Sequence, residues 1–348
     1  ANTYTGTTNI NAGVLVADVV DVAATSGALG NGGDITFGGG TLQYTATTAS
    51  TDYSSRITGS ASAMTFDTNG QDVIVANKLA GNTGGLAKLG LGQLTAAWNS
   101  TYTGITTVEA GTLVLSNDAS NANSSSSGFF INNGSTLELG GSATHIVQDR
   151  TFTFGSTGGG TLTLSRASVL YRSSTIVTTG GSQNTFGGTA SLNMQNTYSA
   201  IYTVADGTDD VDLVASVQHD RGNITKNGDG TLSLTHNANV LRNDGTSINV
   251  VTINGGTLEL SGDGQLRTQG NGAANWTGEV INNGVYRHNS TANQTLSGVI
   301  SGTGAIEHTG GNAGTSTLTL SGANTYTGDT TVSVGTLQVD GIIASVTV

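Results

Sequence analysis

The 348-residue sequence contains no cysteine and no proline. The first absence excludes a disulfide-stapled scaffold and any thiolate metal site. It also suits a chain that must cross a membrane unfolded. The second, with no strict three-residue period, excludes a collagen-like role for the 53 glycines. Aromatic residues are 5% and charged residues 10% of the chain, too few for a charge-driven disordered segment. Eleven basic residues stand against 23 acidic ones, for a net charge of −12. They are scattered and form no basic stripe, which excludes a nucleic-acid-binding surface. No apolar run reaches the length of a membrane span, and no charged-then-apolar leader opens the chain. The expectation is a mature extracellular segment, trimmed or cut from something longer.

What the chain does have is Thr, Val, Gly and Asn. The first two favour strands and the last two tight turns, so the mixture reads as many short strands and many corners. Apolar residues at 35% supply a thin core, as in a long, narrow fold. The phrase Thr-Tyr-Thr-Gly occurs at Thr3–Gly6, Thr101–Gly104 and Thr325–Gly328. In each copy a second glycine follows at a fixed distance from the first (Gly13, Gly111, Gly335), and then a small strand signature. The second half of the phrase recurs alone elsewhere. The leucines it carries are Leu15, Leu42, Leu113, Leu137, Leu162, Leu232, Leu258 and Leu337.

The short gaps between these leucines cluster near about 25 residues and the long ones at roughly three times that, the ladder of a solenoid. Period-two alternation, as in Thr161–Ser165 and Thr257–Ser261, places these leucines on one face of each strand. No helical period of useful length appears, and the valines of 16–24 argue for strand. The pattern predicts an all-β parallel β-helix, three short strands per coil, with the eight leucines pointing inward. Coils about 4.8 Å apart, roughly fourteen of them, would make a rod of about 70 Å. Asn and Thr ladders should run from coil to coil, and a stack of paired strands has no place for proline.

The stretches 85–116 and 298–341 resemble the passenger-associated, autotransporter-type β-strand repeat of large bacterial surface proteins. The opening stretch 1–16 matches its second half, and Asn223–Thr235 its first half. Looser versions cover most of the chain, with 168–217 the least regular. The resemblance implies a right-handed single-stranded β-helix in one continuous repeat segment over 1–348, part of a secreted or cell-surface protein. Members serve as stalks, adhesins or extracellular fibres.

Several clusters could carry chemistry. Asp206, Asp209, Asp210 and Asp212 fall close together. Asp210 and Asp212 on one strand face would suit a hard cation such as calcium, or a carboxylate pair. A solvated loop with a turn-forming Asp-Gly is the plainer reading. His219–Arg221 lacks a neighbouring nucleophile and reads as a solvated turn. Asn227–Leu232 and Gly30–Asp34 read as repeat punctuation, and Gly38–Gly40 lacks the lysine and helix of a phosphate loop. His145, His219, His236, His288 and His308 show no paired ligand spacing. Tyr4, Tyr102 and Tyr326 recur with the motif and read as packing or turn-bracing residues. The stretch 121–128 reads as a flexible excursion from one coil. No catalytic, cofactor-binding or metal residue is assigned, and no cofactor is expected.

Three functions remain open: a non-enzymatic segment of an extracellular fibre or cell-surface stalk, an adhesin binding glycan or protein through side loops, or a carbohydrate-active β-helix. A cleft with convergent Asp, Lys or Arg residues would favour the third. The stretch 1–16 matches 323–338 without gaps, so the chain begins halfway through a repeat, and it stops in 341–348 with nothing cap-like. The expected partners are therefore flanking repeats or other copies, stacked head to tail on open coils, with no membrane span in the segment.

Overall fold

The computed structural model describes residues 1–22, 25–97, 100–116, 122–123, 126–140, 145–165, 169–171, 173–194, 198–241, 249–268, 275–311 and 314–343. The fold is an all-β parallel β-solenoid of about 12 turns. Fourteen were expected. Coil length varies from step to step. Arg287 lies 20 positions before its partner Glu307 on one neighbouring coil, but 28 after Glu259 on the other. Among the described residues the one helical element is a 3-10 turn, Ser54–Arg56. The chain divides into two compact units. One comprises 1–146, 150–155 and 160–168, and the other 147–149, 156–159 and 169–348.

In the first unit one face stacks Val14–Ala17, Thr41–Tyr44, Met64–Asp67, Leu86–Leu89, Thr106–Val108, Phe129–Ile131 and Thr151–Phe154. The next face stacks Val73–Val75, Gln93–Ala97, Thr112–Ser116, Thr136–Gly140 and Thr161–Leu164. In the second unit one face runs from Ser174–Thr178 to Ile300–Ser301, and the next from Asn184–Gly188 to Thr330–Val332. A third is built of Ser191–Asn193, Gln218–Asp220, Asn239–Val240 and Leu266–Arg267. A further sheet holds Asn275–Trp276, Gln294–Leu296, Thr317–Leu320 and Thr336–Val339. The strand of 16–24 stops at Ala17, and Val19, Val20 and Val22 lie exposed.

Alternation decides which side chains enter the coil. Leu113, Leu137 and Leu162 pair directly, as do Leu232 and Leu258, and all are wholly buried, as is Leu42. Burying each such side chain contributes about 1.5–3 kcal/mol. Leu15 and Leu337 are half-buried, because Val14–Ala17 and Thr336–Val339 each have one neighbouring strand. Phe129 stacks on Phe152 with ring centroids 4.7 Å apart. Outside, Thr112, Thr136 and Thr161 run in register, and Asn254 Nδ2 donates to Asn227 Oδ1 at 2.8 Å, the ladders the composition predicts.

Two of the three long gaps do not measure whole coils. Leu42 and Leu113 lie on different faces of the first unit, and Leu258 and Leu337 in different sheets of the second. The motif marks a corner rather than a face. Its second glycine has φ of +70° at Gly13, +66° at Gly111 and +91° at Gly335, and a Cβ at Gly111 would collide with the Gly92 carbonyl oxygen. Its tyrosine reaches the threonine one step beyond the turn. The Oη–Oγ1 distance is 2.9 Å for Tyr4–Thr8, 2.8 Å for Tyr102–Thr106 and 2.6 Å for Tyr326–Thr330. Tyr102 and Tyr326 are buried and brace the corner, whereas Tyr4 is exposed. Tyr102→Phe should cost about 1 kcal/mol, read as a lower urea midpoint at unchanged slope.

Candidate ligand-binding groove

Between two inward-pointing positions of a strand lies one that must face out. On the second unit Leu258, Tyr286 and Ile306 stack inside, as do Leu260, His288 and His308. The residues between them, Glu259, Arg287 and Glu307, stand in register on the outward side of three consecutive coils, Glu259 buried among its neighbours. Arg287 Nε donates to Glu307 Oε2 at 2.7 Å and Nη1 to Glu259 Oε2 at 3.5 Å. Desolvation opposes the guanidinium's charge, but Glu307 and then Glu259 outweigh it and raise the Arg287 pKa. One row further along, Thr309 Oγ1 donates to Asn289 Oδ1 at 2.9 Å.

With Asp210, Val211 and Thr231 these residues line a groove of about 610 Å³. That volume lies within the range of small-molecule sites. Among the described residues the Asp210 carboxylate makes no hydrogen bond, and Glu307 Oε1 and Arg287 Nη2 also remain unengaged. The wall therefore offers acceptors on either side of a donor.

The aspartates of 206–212 do not act together. No strand spans them, so Asp210 and Asp212 do not share a strand face: the strand begins at Leu213. Asp212 is buried, accepting the amides of Gly207 and Thr231, each at 2.7 Å. Asp209 Oδ2 accepts the Gln183 amide at 2.6 Å, while Asp206, Asp209 and Asp210 are exposed, as a solvated loop requires.

His219 is not in a solvated turn. It sits inward on Gln218–Asp220, buried, and only Arg221 turns out, with φ of +72°. Its Nδ1–H donates to Asn239 Oδ1 at 3.0 Å, so Nε2 accepts the Tyr202 hydroxyl. Burial pushes its pKa down to about 4.

His288 and His308, on neighbouring coils, are brought together by register, with their Nδ1 atoms 3.1 Å apart. His308 Nε2 lies 3.0 Å from the Ser316 carbonyl oxygen, and its Nδ1 3.2 Å from the His288 carbonyl oxygen as well as against the His288 ring. Burial, then His308, lowers the His288 pKa to about 4. His236 Nδ1 accepts the Ala238 amide, and the side chain of His145 lies outside the described residues. No group of three His, Asp or Glu side chains converges on a common point among the described residues.

Asn227–Leu232 is corner punctuation, built around a lysine. Lys226 points into the core between Tyr202 and Ile253, and its Nζ donates to the carbonyls of Asn227, Gly228 and Gly255. Lys88, between Phe66 and Val108 in the first unit, does the same for Leu89, Gly90 and Ala110. Desolvation lowers both ammonium pKa values to about 8. Gly30–Asp34 is likewise a turn, with φ of +67° at Gly30 and +96° at Gly32. Parts of 121–128 and of the tail (344–348) lie outside the described residues.

The groove residues Glu259, Arg287 and Glu307 escape sequence reasoning because their spacings, 28 and 20, are unequal. The available signal was a charged residue in the gap of each inward pair, as in Leu258–Leu260.

The passenger-associated-transport-repeat family matches residues 1–17, 86–115 and 313–339. The chain is also 31% identical over 351 residues to the adhesin BmaC autotransporter of Brucella suis biovar 1 (strain 1330). That alignment covers 92% of this chain and 9% of the relative's length. No solved structure matches the chain. The three matched stretches coincide with the Tyr-braced corners, and with the alignment they place the chain among the passenger-associated-transport-repeat proteins, as a β-helical segment of the autotransporter passenger type.

Proposed function

We propose that the chain is a non-enzymatic structural segment of a bacterial adhesin, displayed at the cell surface or outside the cell. The observation that carries this is where the chemically capable side chains go: Lys88, Lys226, Asp212, His219 and His308 are all engaged in holding one coil to the next. The relative's description as an adhesin autotransporter supports the same reading. Its partners are then other β-helical coils and whatever surface the adhesin meets, not nucleic acid.

A carbohydrate-active enzyme is the weaker reading. The groove does gather carboxylates, but Glu259 and Glu307 share one guanidinium, whereas glycoside hydrolysis needs one carboxyl to deliver a proton and the other to attack or activate water. An antibody raised against the chain should label intact source cells, and a polysaccharide panel should show no turnover. Label that appears only after permeabilisation, or turnover that Glu307→Gln abolishes, would overturn the proposal.

A further inference from the structure

We propose that the groove over Glu259, Arg287 and Glu307, lined also by Asp210 of the neighbouring loop, is a binding site for neutral, hydroxyl-rich glycan chains. The inference rests on the adhesin reading and gives it a ligand class.

The charge order selects the ligand. Along three coils it runs negative, positive, negative, with Asp210 adding a second uncompensated negative charge. An anionic sugar such as a uronate would meet three carboxylates against one guanidinium, in a chain of net charge −12. A cation would meet the Arg287 guanidinium at the centre, between carboxylates already engaged with it.

A hydroxyl group can donate and accept, so a run of hydroxyls can pair with acceptor, donor and acceptor in turn. The unengaged atoms supply this set: the Asp210 carboxylate, Arg287 Nη2 and Glu307 Oε1, with the Asn289–Thr309 pair beside them. The buried Glu259 and the register of three paired strands fix Arg287, so the donor is held in place before a ligand arrives. About 610 Å³ gives room for a short oligosaccharide.

Titration calorimetry of the full chain with neutral probes (maltotriose, cellotriose, mannotriose and lactose) and with two controls, trigalacturonate and a trilysine peptide, tests this. At least one neutral probe should bind, and both controls should fail. Asp210→Asn, at an exposed residue with no bond to lose, should weaken that binding roughly tenfold, the value of one charged hydrogen bond. Arg287→Gln should abolish it, with circular dichroism confirming the fold. No binding of any neutral probe by folded protein would overturn the proposal. So would preference for either control, or binding that both substitutions leave unchanged. Cell-surface labelling does not depend on the groove, so its failure and this one are distinguishable.

Discussion

Acidification from pH 6.5 to 4 should destabilise the second unit by roughly 3 kcal/mol for each of His219 and His288, because each pH unit across that window is worth about 1.4 kcal/mol per proton. Each has a folded pKa near 4 against 6.5 unfolded, so between these values the unfolded chain binds more protons. Stability therefore rises with pH across that window and is flat with respect to these two groups above 6.5 and below 4.

The geometry explains the shifts. His219 is enclosed, with its Nε2 accepting from Tyr202, and His288 lies against His308 with ring centroids 5.0 Å apart. Among the described residues His288 Nε2 is buried with no partner, so a charged His288 ring would carry an N–H that nothing accepts. Urea midpoints at pH 4.5, 5.5, 6.5 and 7.5 should fall toward acid, and His219→Phe with His288→Leu should flatten the profile. A flat wild-type profile would show that these rings take up protons without unfolding.

Lys226→Met should cost about 3–5 kcal/mol, because methionine fills the volume between Tyr202 and Ile253 but donates nothing to the carbonyls of Asn227, Gly228 and Gly255. Each carbonyl left without a partner costs about 1–3 kcal/mol, less where water can enter from the turn. Lys88→Met should cost somewhat less in the first unit, where the carbonyls of Gly90 and Ala110 lose the ammonium but that of Leu89 keeps the Thr68 amide. Thermal unfolding of both variants checks this. A loss below about 1 kcal/mol would mean that water substitutes for the ammonium.

The inner face of the solenoid was legible because its physics is local. Leu137 and Leu162 alternate with polar neighbours, and glycine closes each corner, so inward residues follow from period two alone. Which face a strand joins was not legible, since coil length varies and Leu42 and Leu113, which carry the same motif, stand on different faces. His219 was misread because Gln218–Asp220 is polar throughout and gives no apolar signal, although its middle residue is buried. The lysines carried no expectation at all. Lys88 and Lys226 occupy inward positions of alternating strands, which the pattern already showed, but burying an ammonium needs three carbonyls that only the folded corner supplies. The groove depends on register between coils, a property no single strand carries.

The inward lysines also determine how the protein meets amine-directed reagents. The sequence has three lysines and no thiol, and two of the three ammonium groups are enclosed by backbone. Lys78 alone among the lysine side chains stands in solvent. Acylation, biotinylation or attachment to an activated bead under native conditions is thus directed, among side chains, to one position in the first unit. The groove in the second unit lies on residues that such chemistry does not touch, so attachment through Lys78 leaves its side chains unmodified.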